Sequence, residues 1–181
     1  MSSDEDNIAD RVSNRVPITV NGQKAEAVCS TGSNVPNCWM SKAYFTKIGL
    51  DSENIEQVPG VTKLRDAFGS EVNVLGVPKE PLTLLIGDCP AIFKIRPFIL
   101  EFNGYDFWNE FQFTYASMKK LAMSFSFVDG TITLGTANNF SVLRCLNKPN
   151  EPMVMASLFK GPDFDDRQYK TWLASKVDQD V

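Results

Sequence analysis

Two neighbouring hydroxyl side chains, Ser30 and Thr31, stand at the end of a short apolar run and directly before Gly32. A serine hydroxyl becomes a nucleophile only beside a base that takes its proton, most often a histidine. The chain has no histidine, which excludes Ser-His-Asp and Cys-His catalysis. Lys24 and Lys42 are the nearest alternative bases, but they are expected to be solvated surface lysines. We therefore expect hydroxyls that hold a water molecule by hydrogen bonds without taking its proton.

The composition predicts a soluble globular protein with one real core. The 181 residues are 43% hydrophobic and 22% charged, which is ordinary for such a domain. The net charge is -4, whereas nucleic-acid-binding domains are typically basic, so no nucleic-acid partner is expected. No apolar run is long enough to span a membrane, and residues 1–6 are too polar for a signal peptide. These features favour an intracellular location, cytoplasmic or nuclear.

The cysteines do not predict a metal site. Cys29, Cys38, Cys89 and Cys145 form no C-x-x-C pair, and no histidine is available to complete a zinc site. Reduced cysteines that pack as small apolar side chains are the simpler interpretation. We therefore expect no metal and no cofactor.

A hairpin is predicted to position the Ser30 loop. Residues 16–20 alternate and meet Asn21-Gly22, the preferred two-residue hairpin turn, and residues 23–28 form the return strand. After the loop, residues 41–50 predict a short helix with Ser41 as N-cap and Gly49 as its stop.

Short strands with Gly and Asn turns continue along the chain, which predicts a mainly β fold, a closed barrel or sandwich with one or two short helices. Residues 1–14 are expected to be a mobile tail, residues 15–137 the domain, and residues 138–181 a C-terminal extension packed on the domain or on a partner. The further predicted strands cover residues 61–64, 72–77, 82–86, 93–95, 98–100, 111–113, 124–127, 131–134 and 153–159. A helix is predicted to open at Pro162-Asp163, with Phe164, Tyr169, Trp172 and Leu173 on one apolar face.

Residues 16–135 resemble the retropepsin-like family, the single-domain aspartic proteases of retroviruses and retrotransposons and their domesticated cellular relatives. Any one motif is weak evidence, but several occur in the order of the family. They are the Asn-Gly hairpin that leads into Ser30-Thr31-Gly32, Ile48-Gly49-Leu50, Phe68-Gly69 followed by residues 72–76, residues 82–87, residues 113–121, and the closing hairpin of residues 127–135.

The resemblance implies an active-site loop that has lost its acid. Where the family has Asp before Thr-Gly, this chain has Ser30. The family also has a glycine at the position of Thr114, whose side chain we expect to crowd or displace the loop, and often an acidic residue at the position of Ala116. The family uses two carboxylates, one from each half of a symmetric dimer, to activate water. A pair of serines supplies no such base, so no peptidase activity is expected.

The remaining site residues also follow from the resemblance. Thr31 would brace the two loops across the dimer axis, while Phe68 and Gly69 would form the tip of a flap over a bound peptide. The alternative interpretations are a turn-capping hydroxyl for Thr31 and an ordinary turn aromatic for Phe68.

Three functions stay open. The first is a catalytically inactive retropepsin-like domain, retrotransposon-derived, that acts as a homodimerisation or peptide-binding module. The second is an aspartic endopeptidase of retroelement or domesticated origin, here in a form inactivated by an Asp-to-Ser change at Ser30. The third is an unrelated all-β interaction domain in which Ser-Thr-Gly is accidental.

Overall fold

A computed structural model describes residues 13–102, 110–126, 128–136, 138–146 and 157–177 of the chain. Over these residues the protein is mainly β, with one curled eleven-stranded sheet, a separate three-stranded sheet and three helices. The predicted fold class is confirmed. None of the helices formed by the described residues is long and apolar enough to cross a membrane.

The elements follow the predicted order closely. The helices are α1 (Lys42–Lys47), α2 (Tyr115–Lys120) and α3 (Asp166–Val177). The strands are β1 (Arg15–Val20), β2 (Gln23–Ser30), β3 (Trp39–Ser41), β4 (Ile55–Glu56), β5 (Lys63–Arg65), β6 (Glu71–Pro78), β7 (Leu82–Ile86), β8 (Phe93–Ile95), β9 (Phe98–Glu101), β10 (Phe111–Thr114), β11 (Met123–Ser126), β12 (Thr131–Thr136), β13 (Asn139–Arg144) and β14 (Phe159–Lys160).

The large sheet runs in the order β14-β5-β6-β9-β3-β10-β2-β1-β7-β8, and β4 pairs with β6. Most neighbours are antiparallel, but β10 runs parallel to β2, and β3 runs parallel to β9. This arrangement places β2 inside the sheet, between β1 and β10. Residues 27–30 are consequently all buried, because a central strand of a curled sheet is covered on both faces.

Local turn chemistry explains the hairpin and the first helix. Asn21 and Gly22 have φ of 47° and 85°, the left-handed backbone that a two-residue hairpin turn requires. The Ser41 side chain accepts a hydrogen bond from the Tyr44 backbone N–H and caps α1. Gly49, with φ of 92°, ends the helical region. These three predictions are confirmed.

Two hydrophobic clusters form the core. The first cluster contains side chains from β1, β2, β7, β10 and the three-stranded sheet, among them Ile18, Leu84 and Phe113. The second cluster lies under β5, β6 and β9. Its members are Val35, Trp39, Val58, Val61, Leu64, Val72, Val74, Val77, Phe98, Leu100, Leu158, Phe164 and Tyr169.

The C-terminal part differs from the sequence prediction in three ways. The helix begins at Asp166 rather than at Pro162-Asp163, because Asp165 caps it by accepting from the Gln168 backbone N–H. Leu173 is exposed rather than packed in one apolar face with Tyr169. In the predicted strand of residues 153–159, residues 153–156 lie outside the described residues, and the observed strand is Phe159–Lys160.

Some described residues lie close to the expected domain limits at residues 14 and 137. Ser13 and Asn14, which we expected in the N-terminal tail, are buried, and the Asn14 side chain donates to the Cys29 carbonyl at 3.1 Å. Residues 1–12, 147–156 and 178–181 lie outside the described residues. Strand β13 pairs with β12, so the three-stranded sheet continues beyond residue 137.

Candidate functional site

The Ser30 loop begins where β2 leaves the interior of the sheet. Ser30 is the last residue of β2 and is only 6% exposed, whereas Thr31 and Gly32 are exposed. On its β10 side, Ser30 lies opposite Thr114 in the parallel register. The loop therefore presents one buried hydroxyl and one exposed hydroxyl.

The Thr114 side chain, expected to crowd this loop, has another role in the structure. Its hydroxyl accepts a hydrogen bond from the Ser117 backbone N–H and so caps α2. The same oxygen lies 3.2 Å from the Asn37 carbonyl, to which it donates. The Thr114 hydroxyl thus caps the start of α2 and also binds the chain segment that follows the Ser30 loop.

A buried polar pair fixes the strands behind the loop. The Trp39 indole Nε1 donates to the Gln112 Oε1 at 2.9 Å, and both residues are fully buried. They also lie opposite each other in the pairing of β3 with β10. A buried hydrogen bond of this kind fixes the register, because any slip would leave two desolvated polar groups unpaired.

An extended piece of the same chain crosses the loop, and we call it the crossing segment (residues 157–160). The Ser157 hydroxyl lies 2.9 Å from the Ser30 hydroxyl, within hydrogen-bond distance. Ser33 donates through its hydroxyl to the Leu158 carbonyl at 2.6 Å. Further along, the Lys160 backbone N–H donates to Asn34 Oδ1 at 2.7 Å.

The crossing segment also joins the large sheet. Its last two residues form β14 and pair antiparallel with β5, with Phe159 opposite Arg65 and Lys160 opposite Leu64. The segment is thus held on one side by the loop and on the other by a strand edge. This is the geometry of an extended peptide added to a sheet.

Side chains beneath and beside the crossing segment hold it further. Leu158 is fully buried in the second cluster. Arg65 lies across Gly161 so closely that a Cβ there would sit 2.7 Å from Arg65 Nε. The Arg65 guanidinium also lies 3.4 Å from the Asp163 carboxylate and 3.3 Å from that of Glu71. These exposed ion pairs add little stability, so burial of Leu158 is the main apolar anchor.

Strands β5 and β6 form a hairpin with an exposed aromatic tip, which we call the flap hairpin (residues 63–78). The Asp66 Oδ1 accepts from the backbone N–H groups of Phe68 and Ser70 at 2.9 and 2.8 Å. Gly69 has φ of 83°, which a turn of this kind requires. The Phe68 side chain is 95% exposed and therefore does not pack on the loop.

Among the described residues, no charged side chain hydrogen-bonds to the Ser30 hydroxyl. Within the described part of the chain, Ser157 is the one residue that hydrogen-bonds to the Ser30 hydroxyl. Burial raises the pKa of the adjacent Cys29 thiol far above its ordinary value and raises that of Cys38 to about 12, so both thiols are neutral at pH 7. The described residues also contain no group of three side chains suited to hold a metal ion.

The structure brings some of the predicted site residues together with others that the sequence did not indicate. Ser30 and Gly32 both contact Ser157: a Cβ on Gly32 would lie 3.0 Å from the Ser157 hydroxyl. Phe68 and Gly69 lie at the tip of the flap hairpin, and their place over a bound peptide stays a prediction. Ser157 has no local signal in the sequence, because its role depends on a partner 127 residues away.

Comparison with known proteins gives the fold. No protein-family model and no curated protein matches the chain. Among solved structures, the retroviral protease-like domain of Ddi1 from Leishmania major matches with a TM-score of 0.54 and 14% identity, over 78% of this chain and 98% of that one. The fold is retropepsin-like. At this identity the likeness is one of fold alone.

Two further solved structures match at lower similarity. The EIAV protease in complex with the inhibitor HBY-793 has a TM-score of 0.43 and 12% identity, over 60% of this chain and 86% of that one. A retropepsin-like aspartic protease from Rickettsia conorii has a TM-score of 0.40 and 10% identity, over 64% of this chain and 82% of that one.

Proposed function

We propose that this retropepsin-like domain does not hydrolyse peptides and instead binds an extended polypeptide segment, as a homodimer. One observation carries the proposal. The groove between the Ser30 loop and β5 already holds an extended segment, bound through hydroxyl, amide and backbone groups without a carboxylate. A groove with these contacts has the means to bind an extended chain but lacks the means to cleave it.

The absence of hydrolysis follows from the chemistry of Ser30. Retropepsin-like catalysis needs a carboxylate that takes a proton from water and a second that gives one to the carbonyl. A serine hydroxyl is not a base at neutral pH, and the hydroxyl of Ser30 is already engaged with that of Ser157. The position of the missing acid is assigned by the resemblance of the loop to the family.

The homodimer rests on the exposed side of the loop. A retropepsin-like chain carries one such loop, and the family joins two of them across a two-fold axis. Thr31 and Gly32 are exposed in the isolated chain although neighbouring Ser30 and Ser33 are buried. We therefore propose that Thr31 contacts its counterpart in a second copy.

Hydrolysis of a denatured protein, followed over acidic to neutral pH, tests the catalytic part. The wild type is expected to be inert because residue 30 is not an acid, and Ser30→Asp because Thr114 and Ala116 still stand where the family has a glycine and often an acid. Ser52→Asp, an equal charge change at an exposed position, is the matched control. Cleavage by Ser30→Asp alone would establish the alternative, an endopeptidase inactivated by one substitution.

Sedimentation equilibrium tests the homodimer. The wild type is expected to sediment with twice the mass of the chain, and Thr31→Glu as a monomer, because two carboxylates would meet at the axis. Thr46→Glu, at an exposed position of α1, is the control. A monomeric wild type would remove the dimer from the proposal and leave peptide binding to be judged by its own assay.

A further inference from the structure

We propose that the crossing segment is a built-in competitor for the peptide groove, and that external ligands bind by displacing it. This inference rests on the proposed function, because it concerns the same groove. It adds the regulation of that groove and the class of peptide that the groove accepts.

The backbone contacts of the segment are of a kind that any extended chain makes. Ser33 binds a carbonyl, Asn34 binds an amide N–H, and β5 offers its edge to strand pairing. None of these contacts depends on the side chain that the bound residue carries. An external chain in extended conformation therefore satisfies the same groups, and the two cannot be bound at once.

The side-chain contacts define which external chain fits. Position 157 carries a small hydroxyl because it faces Ser30 and lies tightly against Gly32. Position 158 carries a large aliphatic side chain, fully buried in the second cluster. The preferred ligand is thus an extended peptide in which serine or threonine precedes leucine or a similar residue.

Position 160 contributes less to this selection. The Lys160 ammonium lies 3.1 Å from the Asp166 carboxylate and 5.7 Å from the centre of the Phe164 ring. Both partners belong to the chain that follows the crossing segment, and neither belongs to the Ser30 loop or to β5. A cation at this position is therefore a feature of the built-in competitor and not a requirement of the groove.

The competitor lowers the apparent affinity of every external peptide. A site that is open for only a fraction of the time binds with its intrinsic affinity multiplied by that fraction. Any change that locks the segment in place should therefore weaken peptide binding, and any change that loosens it should strengthen binding.

A disulfide lock tests the first direction. The hydroxyls of Ser30 and Ser157 lie 2.9 Å apart, so cysteines at both positions are placed to form a disulfide with a small adjustment. Binding of a fluorescent peptide with the sequence of residues 157–163 is measured by anisotropy on Ser30→Cys/Ser157→Cys, oxidised and reduced. The oxidised form is expected to bind at least about tenfold more weakly. The wild type, carried through the same oxidation, controls for the native cysteines.

A loosened segment tests the second direction. Leu158→Ala removes the apolar anchor and is expected to bind the same peptide at least about tenfold more tightly than the wild type. Leu84→Ala, an equal truncation in the first cluster, is the matched control and should leave the affinity unchanged. If Leu158→Ala fails to fold, the disulfide lock decides the question alone.

The outcomes separate this inference from the proposed function. If peptides from a random extended-peptide library bind equally well to the oxidised, reduced and Leu158→Ala proteins, the competitor is overturned while peptide binding stands. If library peptides bind the Leu158→Ala protein and the 157–163 peptide does not, the ligand class is wrong. If no peptide binds any form, the proposed function fails and the inference fails with it.

Discussion

The two hydrophobic clusters differ in how far along the chain their members come from. The first cluster is assembled from residues between Val16 and Leu143. The second cluster needs Leu158, Phe164 and Tyr169, which approach the flap hairpin from the C-terminal side. The first is thus complete without the last helix, whereas the second is closed only when residues 157–177 are in place.

The Ser30 loop lies at the junction of the two clusters. Cys29, just before the loop, belongs to the first cluster, and Val35, just after it, belongs to the second. One end of the loop is therefore anchored to a self-contained core. The other end shares its packing with a segment that can be displaced, which couples the state of the segment to the loop.

The largest expected effect lies in the first cluster. Phe113→Ala should lower the free energy of unfolding by about 3–5 kcal/mol, because it empties a fully buried site beside Cys29. Phe68→Ala, the same truncation at a 95% exposed position, should change it by less than about 0.5 kcal/mol. Urea denaturation of both variants checks this, and equal losses would contradict the assignment of the core.

The second-largest expected effect tests whether the two clusters unfold separately. Leu158→Ala should cost about 2–5 kcal/mol locally and raise amide hydrogen exchange in β5 and β6, with little change in β1 and β7. Leu84→Ala should instead raise exchange in β1 and β7, with little change in β5 and β6. A uniform rise in the Leu158→Ala protein would show that the two clusters unfold as one unit.

The smallest expected effect compares one buried tyrosine from each cluster. The Tyr44 hydroxyl donates to the Gln23 carbonyl at 2.8 Å, whereas the Tyr169 hydroxyl makes no hydrogen bond with the described residues. Tyr44→Phe should therefore cost about 1 kcal/mol and Tyr169→Phe less than about 0.5 kcal/mol. Thermal unfolding at pH 7 measures the difference, and a larger cost for Tyr169→Phe would contradict it.

The same tyrosines predict an alkaline limit. Burial raises the pKa of Tyr44 and of Tyr169 from the ordinary 10.0 to about 12, so the fold favours the neutral phenol. Their contribution to stability is complete below pH 10 and is lost as the pH rises to about 12. Each Tyr→Phe change should flatten this decline in urea midpoints. An unchanged slope in the Tyr44→Phe/Tyr169→Phe double variant would refute the effect.

Features with local causes could be predicted from the sequence. Asn21-Gly22 dictates a hairpin turn because both residues must adopt positive φ. Ser41 and Gly49 bracket α1 because one caps the helix start and the other ends it. The pairing of β5 with β6 could also be predicted, since the two strands face each other across a turn of a few residues.

Features with distant causes could not be predicted. The contact of Ser157 with Ser30 joins residues far apart in sequence, and nothing around Ser157 indicates what it meets. The role of Thr114 was also not foreseen, because the family pattern suggested steric crowding. A threonine before a helix is also a common cap, and the hydrogen bond that the Ser117 backbone N–H donates to the Thr114 hydroxyl shows that role.

The close approach of Arg65 to Gly161 has a consequence for any molecule that competes with the crossing segment. The Arg65 side chain lies directly against the Gly161 backbone, so even a methyl group at position 161 would clash with it. A competing strand must therefore carry glycine at this position, or displace Arg65 from Asp163 and Glu71. Arg65 would thus select competing chains by the size of the side chain at the position of Gly161 rather than by its charge.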